Sequence, residues 1–222
     1  MIPDYETAAR KALEIILYRQ ITETPVLSLP ILRNFPGVRL MSFAEMADGT
    51  GMDRENLVPL FGRNQDAATF LLDADIRLDD VRYVVIYNRK LPYETVRKAI
   101  ARELGHIVLG HDGVTRPPEV RYAEAMCFAH HLLLPRPVIH MLQAAGVPMT
   151  LNVLADTIGC ADECVEGMRN TPGVHVPRQL NAEVRDLFAP HIREYIRFHA
   201  ASKKPDHSPV ADIGTYMDYY EE

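Results

Sequence analysis

"RKAIARELGHIVLGH", residues 97–111, decides how the rest of the chain is read. Val96, Ile100, Leu104, Ile107 and Val108 recur at three- and four-residue spacing, which lays one apolar stripe along an α-helix. The spacing predicts a helix from about Pro92 to Leu109. Gly110 supplies its stop, because glycine enters the left-handed conformation without a Cβ clash. On that helix Arg102 and His106 stand at i and i+4 and share a face, with Glu103 next to them. Gly105 costs a helix about 1 kcal/mol relative to alanine, so close approach of a neighbouring strand or helix is expected there.

Upstream, "ATFLLD" (68–73) and "RYVVIYN" (82–88) are rich in β-branched and aromatic residues and flank the acidic turn "ADIRLDD" (74–80). They are expected to pair as neighbouring strands. A third strand is expected around Val38 to Ser42, after a short helix that Ser28 and Pro30 are suited to open. Between them, residues 44–67 suggest short helices and Gly-rich turns. Residues 4–20 place Tyr5, Ala8, Ala9, Ala12, Leu13, Ile16 and Leu17 on one helical face. Downstream, a second long helix is expected from about Arg121 to Leu134, ended by Pro135 and Pro137. Further helical segments are expected near 150–169 and 179–200, and residues 201–222 read as an acidic tail.

The 222 residues are 47% hydrophobic and 24% charged, the balance of an ordinary soluble globular chain. No apolar run approaches the roughly 20 residues that span a bilayer, and no signal peptide is read. The three cysteines are too few for a disulfide framework, which agrees with a reducing compartment, so a cytoplasmic location is expected. Cys160 and Cys164 form a lone C-x3-C pair, better read as structural than as a metal site. The net charge of −6 argues against a broad nucleic-acid surface. Residues 151–168 have helix-turn-helix spacing, but Asp162, Glu163 and Glu166 would be repelled by DNA, so a structural helix pair is expected.

A zinc-hydrolase helix uses His at i and i+4 to hold one Zn2+ while the intervening Glu orients and deprotonates water. Here Arg102 fills the first position, His106 the second, and Glu103 the general-base position. About twenty residues on stands "AEAMCFAHHLLLP" (123–135). Together the two segments resemble the ImmA/IrrE family of small metallopeptidases, whose pattern is H-E-x-G-H, a polar loop, then E-A-N-x-F-A-x-x-L-L-x-P. Glu124, Ala125, Phe128, Ala129, Leu132, Leu133 and Pro135 fall where that pattern places them. Roughly residues 1–170 are covered, with the specific part in 83–135.

The resemblance implies an α+β fold: a mostly helical, zincin-like metallopeptidase core with a small β-sheet packed on the motif helix. The expected organisation is a metallopeptidase-like domain at 1–145, a helical region at 146–200 and the tail at 201–222. Three roles are implied: Glu103 as catalytic general base, and His106 and Glu124 as metal ligands. Two positions depart from the pattern. Met126 replaces Asn, and Arg102 replaces the first His. Arginine stays protonated and has no lone pair for a metal, so zinc binding is expected to be weak or absent and hydrolysis impaired. The guanidinium is instead expected to fill the vacant space, bridging Glu124 and also Glu103. The alternative is a substitute ligand: Cys127, three residues after Glu124 on the same helix face, or less readily His111 or His131. The plainer reading of these three is a small buried cysteine and surface histidines.

Family resemblance implies a regulatory protein whose partner is a protein, typically a helix-turn-helix repressor of a mobile element or stress response. A pseudo-peptidase that binds this regulator is the first expectation. An active zinc endopeptidase with a substitute ligand is the second, and a DNA-binding regulator the third. No membrane role is expected.

Overall fold

The computed structural model describes residues 1–22, 28–51, 66–73, 80–112, 115–150, 165–167 and 174–197. The fold is α+β, as expected. It divides into two compact units, one formed by Leu27–Met126 with Met1, the other by Ile2–Val26 and Cys127–Glu222.

Among the described residues the first unit holds a three-stranded mixed sheet. β1 (Val38–Ser42) runs parallel to the central β3 (Tyr83–Tyr87), and β2 (Ala67–Leu71) runs antiparallel to β3 on its other side, so β2 is an outer strand. The β-branched and aromatic content of β3 suits a strand covered on both faces. On one face Phe43 and Ile86 form a small apolar core with Ala68, Phe70 and Val84, packed by α3 (Phe43–Thr50). A full capping box starts α3. Ser42 Oγ accepts from the Glu45 N–H, and the Glu45 carboxylate accepts from the Ser42 N–H. The helix ends at Gly51, whose φ of 67° requires the left-handed conformation.

The other face of the sheet carries the motif helix α4 (Tyr93–Val108), which also packs on the short α2 (Ser28–Arg33). Ala99, Ile100, Ala101 and Leu104 are wholly buried, as the apolar stripe requires. Gly105 is buried on the same helix. Gly110, at φ 64°, closes the C-terminal turn.

The second unit is helical. α7 (Arg178–Tyr195) packs on α1 (Tyr5–Tyr18) and on α6 (Arg136–Ala144) through the buried Val184, Phe188 and Ile192. α5 (Pro118–Leu133) has residues 118–126 in the first unit and 127–133 in the second.

One expectation needs correction. Pro135 and Pro137 end α5, but they also begin α6, which the sequence reading left out. A proline in the first turn loses no hydrogen bond, because those N–H groups have no helical acceptor. The helix-turn-helix-like stretch 151–168 lies outside the described residues save for 165–167. Cys160, Cys164 and the tail lie outside them as well. Among the described residues no helix is long and apolar enough to cross a membrane.

Candidate functional site

On α4 the helical repeat brings Arg102, Glu103 and His106 toward β2. Arg102 is buried, its side chain 5% exposed, yet it carries a full set of partners. Nη1 and Nη2 donate to the two carboxylate oxygens of Asp66 at 3.0 and 3.1 Å, a bidentate pair. Nε and Nη2 donate to Glu103 Oε1 at 3.0 and 2.6 Å, and Nη2 also reaches the backbone oxygen of Ala67 at 3.0 Å. The guanidinium carbon lies 5.8 Å from the centre of the Tyr122 ring. Burial alone would favour loss of the Arg102 proton, but Glu103 and Asp66 outweigh it and raise its pKa above the ordinary arginine value. The other Glu103 oxygen, Oε2, accepts from Thr69 Oγ1–H at 2.6 Å. Both carboxylate oxygens of Glu103 are therefore held by protein donors.

A second cluster lies around the end of α4 and the start of α5. Glu124 is 2% exposed. It accepts from Arg116 Nη1 at 2.6 Å on Oε1, and its Oε2 lies 3.0 Å from His111 Nε2. An ionised carboxylate only accepts, so His111 carries its proton on Nε2 and a lone pair on Nδ1. That Nδ1 lies 2.9 Å from His106 Nδ1, which must therefore be the donor. The relay Arg116–Glu124–His111–His106 leaves the lone pair of His106 on Nε2, which has no hydrogen-bond partner among the described residues. Burial, then His111, Arg102 and Arg121, pull the His106 pKa down to about 3. Burial also lowers His111, against the opposing pull of Glu124. Both imidazoles are neutral at pH 7.

The clusters face a cleft of about 380 Å3, lined among others by Thr69, Leu71, Tyr83, Ile107, Arg121 and Tyr122.

Sequence reasoning placed Arg102, Glu103, His106 and Glu124 at one site, and all four belong to these two clusters. The bridge expected of Arg102 is corrected in one partner. It binds Glu103 and Asp66, while Glu124 is neutralised by Arg116 and hydrogen-bonded by His111. His111 and His131 were read as surface histidines, but they are 4% and 1% exposed. Cys127 belongs to the second unit, buried, with Sγ 3.6 Å from both Tyr5 O and His131 Nδ1. Asp66, Thr69 and Arg116 escaped the reading. The rule that a buried Arg needs carboxylates calls for a partner such as Asp66 without saying which, and no signal in the sequence pointed to Thr69 or Arg116.

The residues present do not fit a catalytic zinc. Such a site needs three protein ligands with free lone pairs and an open position for water. Arg102 offers none, which leaves His106 Nε2 and the Glu124 carboxylate, already hydrogen-bonded to Arg116 and His111, as two ligands where three are needed. Among the described residues no group of three or more His, Cys, Asp or Glu is arranged to hold a metal ion.

Compared with known families, residues 65–158 match the model of the IrrE N-terminal-like domain. No curated protein and no solved structure matches the chain. The match takes in β2, β3, α4 and every residue of both clusters, and so residues 65–158 are an IrrE N-terminal-like domain of the metallopeptidase kind.

Proposed function

We propose that this protein keeps a metallopeptidase fold without zinc-dependent hydrolysis and acts in the cytoplasm as a regulatory protein that binds a protein partner. The partner class that the family resemblance suggests is a helix-turn-helix transcriptional regulator. One observation carries the reading: the Arg102 guanidinium, bidentate on Asp66 and bonded to Glu103, supplies within the protein the positive charge that a metal would bring. Without a metal, water keeps a pKa of about 15.7 instead of about 7, and a carboxylate at the Glu103 position has no useful nucleophile to activate.

An active zinc endopeptidase is the competing reading, and the open His106 Nε2 favours it. One imidazole and one carboxylate make a weak anchor, and the Sγ of Cys127, the substitute ligand suggested by sequence, lies 3.6 Å from both Tyr5 O and His131 Nδ1.

The test is zinc content after equilibration with one equivalent of metal and dialysis, measured beside Arg102→His. Well under one zinc per chain is expected for the protein as it stands, with a marked rise in the variant. Stoichiometric zinc in the unaltered protein, together with cleavage of a candidate regulator, would overturn the reading.

A further inference from the structure

Among the described residues, each charged side chain lining the cleft has an opposite partner except one. Arg102 has Asp66 and Glu103, and Asp112 has Arg82 at 2.8 Å. Arg121, in the first turns of α5, has no carboxylate among the described residues. It donates from Nη1 to the backbone oxygen of His111 at 3.2 Å, and its buried Nε has no partner. It lines the same cleft as His106 and His111. An uncompensated guanidinium in a cleft matches one chemistry best: a carboxylate, which its planar fork can bind with two hydrogen bonds.

The same cleft contains open backbone. Asn88 N–H donates to Asp66 O, and Leu72 N–H donates to Arg82 O, so the even-numbered residues of β2 turn their backbone groups to β3. Those of Ala67, Thr69 and Leu71 turn outward. Ala67 is already engaged, by the Asp66 carboxylate at its N–H and by Arg102 at its oxygen. Thr69 and Leu71 remain, and both line the cleft with Tyr83, Ile107 and Tyr122 beside them. Free edge groups accept an extended chain, and alternate side chains of that chain then fall toward the pockets alongside.

We propose that the cleft takes an extended segment of a protein partner, paired to β2 at Thr69 and Leu71, with an Asp or Glu side chain of that segment bound by Arg121. This rests on the partner-binding reading above and adds what the partner must present.

The experiment is an array of heptapeptides, acetylated and amidated at their ends, with one fixed position and the others randomised, probed with the full chain. Peptides with central Asp or Glu are expected to bind about tenfold more tightly than those with Asn or Gln. Arg121→Gln abolishes that preference. Leu71→Pro weakens all peptides while keeping it, because the Leu71 N–H lies outside the β2–β3 ladder and its loss leaves the sheet paired. Equal binding of acids and amides overturns the proposal. So does an acid preference that survives in Arg121→Gln, or binding confined to phosphoserine peptides or to free C-termini. Failure of the non-catalytic reading shows elsewhere, as shortened peptides in the mass spectrum, and leaves a preference that depends on Arg121 standing.

Discussion

Replacing Arg102 with Met removes the cation from its cluster while keeping much of the side-chain volume. Glu103 and Asp66, whose side chains are 5% and 12% exposed, are then left with no opposite charge. Breaking a buried ion pair in this way costs about 3–5 kcal/mol, mostly as the penalty of the stranded charge. A ceiling follows from protonation. A stranded carboxylate can take a proton, and from the ordinary glutamate value of about 4.3 this costs about 3.7 kcal/mol at pH 7 but about 1 kcal/mol at pH 5. The loss for Arg102→Met is therefore expected near 3–4 kcal/mol at pH 7 and to shrink by about 2–3 kcal/mol at pH 5. Adding Glu103→Gln at pH 7 removes the worse of the two stranded charges and restores at least 2 kcal/mol. Urea unfolding, followed by circular dichroism and tyrosine fluorescence at both pH values, measures all three quantities. A loss below 1 kcal/mol at pH 7, or one equal at the two pH values, would refute the assignment of Arg102 as the internal counter-charge.

Stability should also fall as pH drops from about 6.5 to 5. Burial holds His106 at about 3 and His131 at about 4, so the unfolded chain takes protons that the folded chain refuses. The slope is about 1.4 kcal/mol per pH unit for each histidine, and a flat profile over that range would contradict the burial of both. Ser42→Ala removes the side-chain half of the α3 capping box and is expected to cost about 1 kcal/mol in the same urea assay. Chelation with EDTA should leave the urea midpoint unchanged, because a protein whose site is closed by arginine draws no stability from metal; a large downward shift would point to a bound ion.

The fold was legible where periodicity is strong. The apolar stripe around Ile100 and Leu104 yielded α4 to within a residue at each end, and β1 and the two neighbouring strands appeared where β-branched runs meet turn residues. Pro135 and Pro137 misled because a proline that ends one helix is equally suited to begin the next, and local sequence does not distinguish the two. At the site, Arg102, Glu103, His106 and Glu124 were found because helical spacing is local. Asp66 was not, since it meets Arg102 only through the pairing of β2 with β3, 36 residues away in sequence. The expected Arg102–Glu124 bridge fails for the same reason: Arg116, eight residues before Glu124 in a polar loop, reaches that carboxylate first.

The contact from Arg102 to Ala67 O has a consequence for how copies of this protein behave toward one another. An outer strand with unsatisfied backbone is a template for strands of other molecules, and proteins commonly guard such strands with charge. Here the guard is internal. With Asp66 on the Ala67 N–H and Arg102 on its oxygen, the open edge of β2 shortens to Thr69 and Leu71, too little for a neighbouring copy to build a long ladder on. Arg102 thus also serves to keep that edge short, and turbidity that grows with protein concentration is the expected sign of its removal.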